Sequence, residues 1–218
     1  DQSADSLRMA FRVEPGLTSP RRARVEGDWS AAAYPAAAAA LTGGVVRLAE
    51  ISRESAQGDR RFIDLLVEMG AEASWLDGEL EISGDGKLRG ITADLSDIPD
   101  QVPTLAALAP FARGETTIEN VPHLRIKESD RLAAMARGLE SVGAPVTELA
   151  AGLVIPGAWA DGVPTLPPAL VDPWDDHRIA MSFALLGLRR SGVSIADPAV
   201  VGKSYPEFWR DFSALVDN

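Results

Sequence analysis

The sequence predicts an α/β domain assembled from three consecutive βαβαββ units. Three observations point there. The order strand, helix, strand, helix, strand, strand recurs along the chain, and residues echo one another at an offset of 73. Met69-Gly70-Ala71 followed by Leu80-Glu81-Ile82 returns as Val142-Gly143-Ala144 followed by Leu153-Val154-Ile155. Asp28, Asp100 and Asp172 are spaced by 72 and 72, each at a strand-to-helix corner. With 218 residues, 46% of them hydrophobic, the chain can bury a full core.

In chain order, residues 7–13 (Leu-Arg-Met-Ala-Phe-Arg-Val) read as a lone strand before a Pro15-Gly16 turn. The first unit has a strand at 23–26, a helix over 29–41, a strand at 45–48, a helix over 58–69, and short strands at 73–75 and 80–82. The second has a strand near 90–93, a helix over 101–111, a strand at 116–119, a helix over 129–142 and strands near 146–148 and 153–155. Gly143 is a natural stop for that second helix. The third has a strand near 169–171, a helix over 174–188, a strand at 193–195 and a helix over 206–216, without its last two strands. Residues 31–40 and 105–109 are apolar nearly all round, which predicts buried helices. The truncated third unit and the orphan strand together predict a fragment of a larger protein. On that reading 1–16 is the tail strand of a preceding domain and 17–218 the domain proper.

Composition narrows the function. No run of 18 apolar residues predicts a transmembrane helix. The start, Asp1-Gln2-Ser3-Ala4-Asp5, has neither the basic nor the apolar region of a signal peptide. Zero cysteines are compatible with a reducing cytoplasm, and two histidines, His123 and His177, argue against a histidine-based metal site. A net charge of −11 argues against nucleic acid and anionic membrane as partners. An anionic substrate would therefore need basic residues concentrated locally, and they are.

Leu124-Arg125-Ile126-Lys127-Glu128-Ser129-Asp130-Arg131-Leu132 opens the helix over 129–142. Lys127 and Arg131 then share a face at the positive end of the helix dipole, where each cation is disfavoured by roughly 0.3–1 kcal/mol. A bound anion would reverse that sign, and Glu128 stands beside it. On this stretch alone, a solvated helix start with Glu128 and Arg131 paired i, i+3 is the simpler reading. Arg178 and Lys203 also fall near helix starts, the latter just before Pro206. In this topology all helix N-termini lie at one end, where open sheets bind ligands. A phosphate, or a ligand carrying both carboxylate and phosphate, would explain four cations at one edge of an acidic chain. Asp100 by position alone reads as an N-cap, like Asp28 and Asp172. His177 reads as a hydrogen-bonded core residue, and Trp29, Trp75 and Trp174 as packing anchors.

The strings at 124–132, 176–181 (Asp-His-Arg-Ile-Ala-Met) and 203–209 (Lys-Ser-Tyr-Pro-Glu-Phe-Trp) resemble the EPSP synthase family (3-phosphoshikimate 1-carboxyvinyltransferases). So do 25–34, 57–62 (Gln-Gly-Asp-Arg-Arg-Phe) and 97–104 (Asp-Ile-Pro-Asp-Gln-Val-Pro-Thr). The resemblance implies an inside-out α/β barrel, one of two domains of the enolpyruvyl transferase fold, here the C-terminal one with its N-terminal domain absent from the chain. In the family the N-terminal residues cross over to finish this domain. The implied activity transfers the enolpyruvyl group of phosphoenolpyruvate to the 5-hydroxyl of shikimate 3-phosphate, with release of phosphate and no cofactor. By similarity Lys127 and Asp100 contact shikimate 3-phosphate, and Arg131, Arg178 and Lys203 clamp phosphoenolpyruvate. Asp100 would accept the hydroxyl proton and Glu128 would handle the proton on the methylene carbon. His123 stands where many members carry Asn. Two rival readings are an enolpyruvyl transferase acting on UDP-N-acetylglucosamine and a non-catalytic anion-binding module. The first usually relies on a Cys-bearing loop and lacks the Lys-Glu-Ser-Asp-Arg string. The second would be better served by neutral residues at 100 and 128.

Overall fold

The computed structural model describes Arg12, Gly16, Arg22 and residues 24–216. The strand expected at 7–13 lies, apart from Arg12, outside the described residues. At the centre, helices α1 (Trp29–Thr42), α3 (Val102–Leu108) and α5 (His177–Gly187) pack on one another. These are the first helices of the three units. Every residue of α3 is buried, and α1 buries its alanine run, as all-round apolarity requires.

Three small sheets surround them. Unit one contributes β1 (Val45–Leu48), β2 (Glu72–Leu76) and β3 (Glu79–Ser83), antiparallel in the order β1-β3-β2. Unit two contributes β4 (Thr92–Asp94), β5 (Glu115–Glu119), β6 (Thr147–Leu149) and β7 (Gly152–Pro156) in the order β4-β5-β7-β6, only β4 and β5 running parallel. Unit three contributes the parallel pair β8 (Ala169–Val171) and β9 (Val193–Ile195). The remaining helices are α2 (Phe62–Met69), α4 (Arg131–Ser141) and α6 (Phe208–Val216). The sequence echo has a geometric counterpart. Gly70 and Gly143 both take left-handed backbone, at φ 115° and 87°. Each is followed by an alanine whose N–H returns to the helix, Ala71 to Leu66 O at 2.9 Å and Ala144 to Leu139 O at 2.8 Å. Both are the same helix stop.

Four expected elements differ. Residues 24–26 form no strand. The Glu26 carboxylate accepts from Ser55 Oγ at 2.7 Å and Gln57 Nε2 at 2.9 Å, and Gln57 Nε2 also reaches Gly27 O at 3.0 Å. These side-chain bonds hold the stretch without a ladder, and Val25 is left 88% exposed. The helix expected from 129 starts at Arg131, because the Asp130 carboxylate accepts from Ala133 N at 3.1 Å and so caps it. Lys127 instead ends a separate 3-10 turn, Pro122–Ile126, and does not share a helical face with Arg131. The helix expected from 174 starts at His177, since Trp174 and Asp175 take φ 50° and 56° and Asp176 provides the cap. The last helix begins at Phe208; Lys203 closes a 3-10 turn, Pro198–Lys203.

Two further contacts fix how the units meet. A Cβ on Gly138 of α4 would lie 2.3 Å from Phe183 Cζ, so only glycine lets α4 approach α5 this closely. At the end of α4 remote from Arg131, buried Arg190 donates to Val142 O at 3.2 Å and Pro167 O at 2.6 Å. Neighbouring Arg189 donates to Gly86 O at 2.8 Å, and its guanidinium lies 5.2 Å above the Phe111 ring. Among the described residues no helix is long and apolar enough to cross a membrane.

Candidate active site

The α4 and α5 N-termini meet at one rim, and all six singled-out residues converge there. Arg131, the first residue of α4, is its hub. Its side chain is 1% exposed and contacts three carboxylates: Asp176 Oδ2 from Nε at 2.7 Å, Asp100 Oδ1 from Nη1 at 2.8 Å and Glu128 Oε2 from Nη2 at 2.7 Å. Arg178 Nη2 lies 3.0 Å from Asp100 Oδ2, so Asp100 bridges two guanidinium groups. Lys127 Nζ is 3.9 Å from Asp100, and Lys203 Nζ reaches Glu128 Oε1 at 3.0 Å.

Local chain geometry puts each group there. Asp100 belongs to a 3-10 turn, Pro99–Gln101, leading into α3. Its carboxylate turns toward the cations, and no side-chain cap bond is made at the start of α3, in contrast to Asp28, which does cap α1 by accepting from Ser30 N at 2.8 Å. The N-cap reading therefore holds for Asp28 and fails for Asp100. Asp172 accepts from Trp174 N at 2.7 Å in a local turn and caps no helix.

The electrostatics follow from this crowding. Burial raises the proton affinity of Asp100, but Arg178, Arg131 and Lys127 outweigh it and hold the carboxyl below its ordinary value. Glu128 is also opposed by burial, yet its own backbone N–H, Lys203 and Arg131 pull it down to about 2. Burial works against the charge on Arg131, and Asp176, Asp100 and Glu128 together keep it above its usual value. Both candidate proton carriers are thus ionised at neutral pH, each held by cations suited to an anionic ligand.

Asp176 was not singled out from the sequence. It is 0% exposed, accepts from Arg178 N at 2.9 Å and from Ser129 Oγ at 3.2 Å, and neutralises Arg131. One carboxylate thus caps the helix carrying Arg178 and orients the guanidinium of Arg131. Its signal was its place two residues before Arg178, the spacing of an N-cap. His177 is buried, and its Nδ1 makes no hydrogen bond. Burial and then Arg178 push its proton affinity down, so the imidazole is neutral and the hydrogen-bonded core reading is not met at Nδ1. His123 is half-buried in the 122–126 turn and joins none of these ion pairs among the described residues. Beneath the rim, burial raises the Tyr34 phenol to about 12 against the pull of Arg178 and Arg131. No group of three or more His, Cys, Asp or Glu among the described residues is arranged to hold a metal.

A repeated α/β unit wrapped around three central helices, with cations and carboxylates converging at their rim, defines an enolpyruvyl transferase type of fold. A solved EPSP synthase from Acinetobacter baumannii superposes with a TM-score of 0.71 at 31% identity, covering 87% of this chain and 46% of that one. The family model for EPSP synthase (3-phosphoshikimate 1-carboxyvinyltransferase) matches residues 3–212, and the chain belongs to that family. A 3-phosphoshikimate 1-carboxyvinyltransferase of Syntrophobacter fumaroxidans is 50% identical over 191 residues, 88% of this chain and 44% of that protein. One from Yersinia pestis is 42% identical over 212 residues, 94% of this chain and 47% of that protein. The chain spans about half the length of the curated relatives it matches.

Proposed function

We propose that this chain is the C-terminal half of an enzyme that joins the enolpyruvyl group of phosphoenolpyruvate to the 5-hydroxyl of shikimate 3-phosphate. The observation that carries this reading is the convergence of Lys127, Arg131, Arg178 and Lys203 on Asp100 and Glu128. Guanidinium forks suit carboxylate and phosphate and an ammonium adds a compact positive charge, so Arg131, Arg178 and Lys203 take phosphoenolpyruvate. Lys127 and Asp100 take the shikimate ester.

In the transfer, the hydroxyl oxygen attacks C2 of phosphoenolpyruvate as its proton passes to Asp100. Glu128 delivers a proton to the C3 methylene, giving a tetrahedral intermediate. The intermediate then returns a methyl proton to Glu128 and expels phosphate, which carries away the proton held by Asp100. Glu128 starts ionised, held by Lys203 and Arg131. An anion that engages those same two cations weakens their hold on the carboxylate and raises its proton affinity. Substrate arrival thus lets Glu128 take up a proton from solvent before the transfer, and the returned methyl proton restores it.

The other half of the protein supplies the remaining shikimate 3-phosphate contacts. This chain by itself does not turn over. No cofactor enters the scheme, and nucleic acid and membrane are not partners. We place the protein in the cytoplasm, with which a cysteine-free chain is compatible. A coupled phosphate-release assay tests the proposal. The full-length protein should release phosphate only with both substrates, and Glu128→Gln should abolish release while retaining phosphoenolpyruvate binding. Full turnover by the Gln variant would remove Glu128 from the chemistry.

A further inference from the structure

We propose that the 3-10 turn Gly58–Arg61 of the first unit is a brace that positions Asp100, with Asp59 and Arg61 as positioning residues. This rests on the role given to Asp100 above. The turn lies in the Gln57-Gly58-Asp59-Arg60-Arg61-Phe62 string, to which the transfer scheme gives no part.

Asp100 sits on the irregular segment between the end of β4 at Asp94 and the start of α3 at Val102. The turn grips that segment along its length. Arg61 pairs with the Asp97 carboxylate and donates from Nη2 to Asp94 O at 2.9 Å. Gly58 packs so closely that a Cβ there would lie 3.3 Å from Asp97 O. Asp59 Oδ2 accepts from Nε2 of Gln101, the residue next to Asp100, at 3.1 Å, and also from Ser30 Oγ at the start of α1. Gln101 is 0% exposed, so this tie is its anchor inside the protein.

The brace matters because the other ties on Asp100 are ones a substrate takes over. Arg131, Arg178 and Lys127, from α4, α5 and the 122–126 turn, hold its carboxylate in the present structure. Once an anion occupies those cations, the position of Asp100 depends on its own backbone, which the first unit fixes. Misplacing a proton acceptor by about 1 Å can cost on the order of 100-fold in rate.

Three variants of the full-length protein test this. Asp59→Ala and the nearly isosteric Gln101→Met cut the tie. Asp59→Asn, with its amide oxygen in the place of Oδ2, keeps the acceptor that Gln101 and Ser30 share. Expected for both cutting variants is a fall in kcat of about tenfold or more with KM for phosphoenolpyruvate within about threefold of wild type, and near wild-type values for Asp59→Asn. Amide exchange at Ile98 and Gln101, whose N–H groups bond to Leu95 O at 3.1 Å and Ile98 O at 3.0 Å, should quicken in the cutting variants alone. Asn as damaging as Ala would show that the charge of Asp59 matters, and would overturn a positioning role. Unchanged exchange in Gln101→Met would overturn the brace itself. The exchange measurement judges the brace even where the wild type shows no transfer, a result that would count against the function proposed above.

Discussion

Replacing Arg131 by Met should destabilise the protein severely, and the structure says why. Asp100 keeps Arg178 and Lys127 in the variant, and Glu128 keeps Lys203. Asp176 keeps no cationic partner: at 0% exposure it is left with Ser129 Oγ, the Arg178 N–H and a neutral His177 whose Nδ1 is 4.0 Å away. Breaking a buried pair by removing one partner costs about 3–5 kcal/mol, because the other charge stays buried and uncompensated. For a domain of this size that is a fall in Tm of roughly 6–20 °C. Scanning calorimetry of the full-length protein reads it directly. The double variant R131M/D176N keeps the α5 cap and removes the stranded charge, so it should recover all but about 1–2 kcal/mol of the loss. A single variant losing less than about 1 kcal/mol, or a double variant no better than the single, would refute the reasoning.

Three other outcomes are expected. Glu128 has its folded-state proton affinity lowered to about 2, below its unfolded value of 4.5, so its contribution to stability is present above pH 4.5 and lost as pH falls toward 2. Glu128→Gln should flatten the unfolding midpoint across that window, and a midpoint that still falls in parallel with wild type would contradict it. Gly138→Ala forces a Cβ against Phe183 and should cost about 1–3 kcal/mol, with Phe183→Leu relieving part of it; denaturant titration distinguishes this from no effect. Asp28→Ala removes the α1 cap and should cost about 1 kcal/mol, whereas Asp28→Asn should be close to neutral.

Local signals carried much of the fold. β1, β8 and β9 formed at the expected residues, short apolar runs rich in valine, and α1 where Asp28 precedes an alanine run. Helix starts were harder wherever two candidate caps compete. Ser129 and Asp130 are both good caps, and only the tertiary demand on Arg131 selects the second. Trp174 and Asp175 were not legible as a left-handed pair, because neither carries the glycine that usually announces one. The strand expected at 23–26 is absent over the described residues 24–26, where side chains from 55 and 57, some thirty residues away, hold the chain. In the site, Arg131 and Arg178 were visible as charges at helix starts, whereas Lys127 and Lys203 lie at the ends of 3-10 turns. Asp176 was hidden because its function is to satisfy another side chain, which shows only in three dimensions.

The most direct measurement is a calorimetric titration of phosphoenolpyruvate into the full-length protein in the presence of shikimate 3-phosphate. Arg178→Met and Lys203→Met should each weaken binding by at least about tenfold, the loss of one charge-assisted contact. Arg113→Met, removing an exposed cation paired with Asp161, should leave it unchanged. Equal affinity in all four proteins would contradict the claim that this rim exists to hold a small, multiply charged anion.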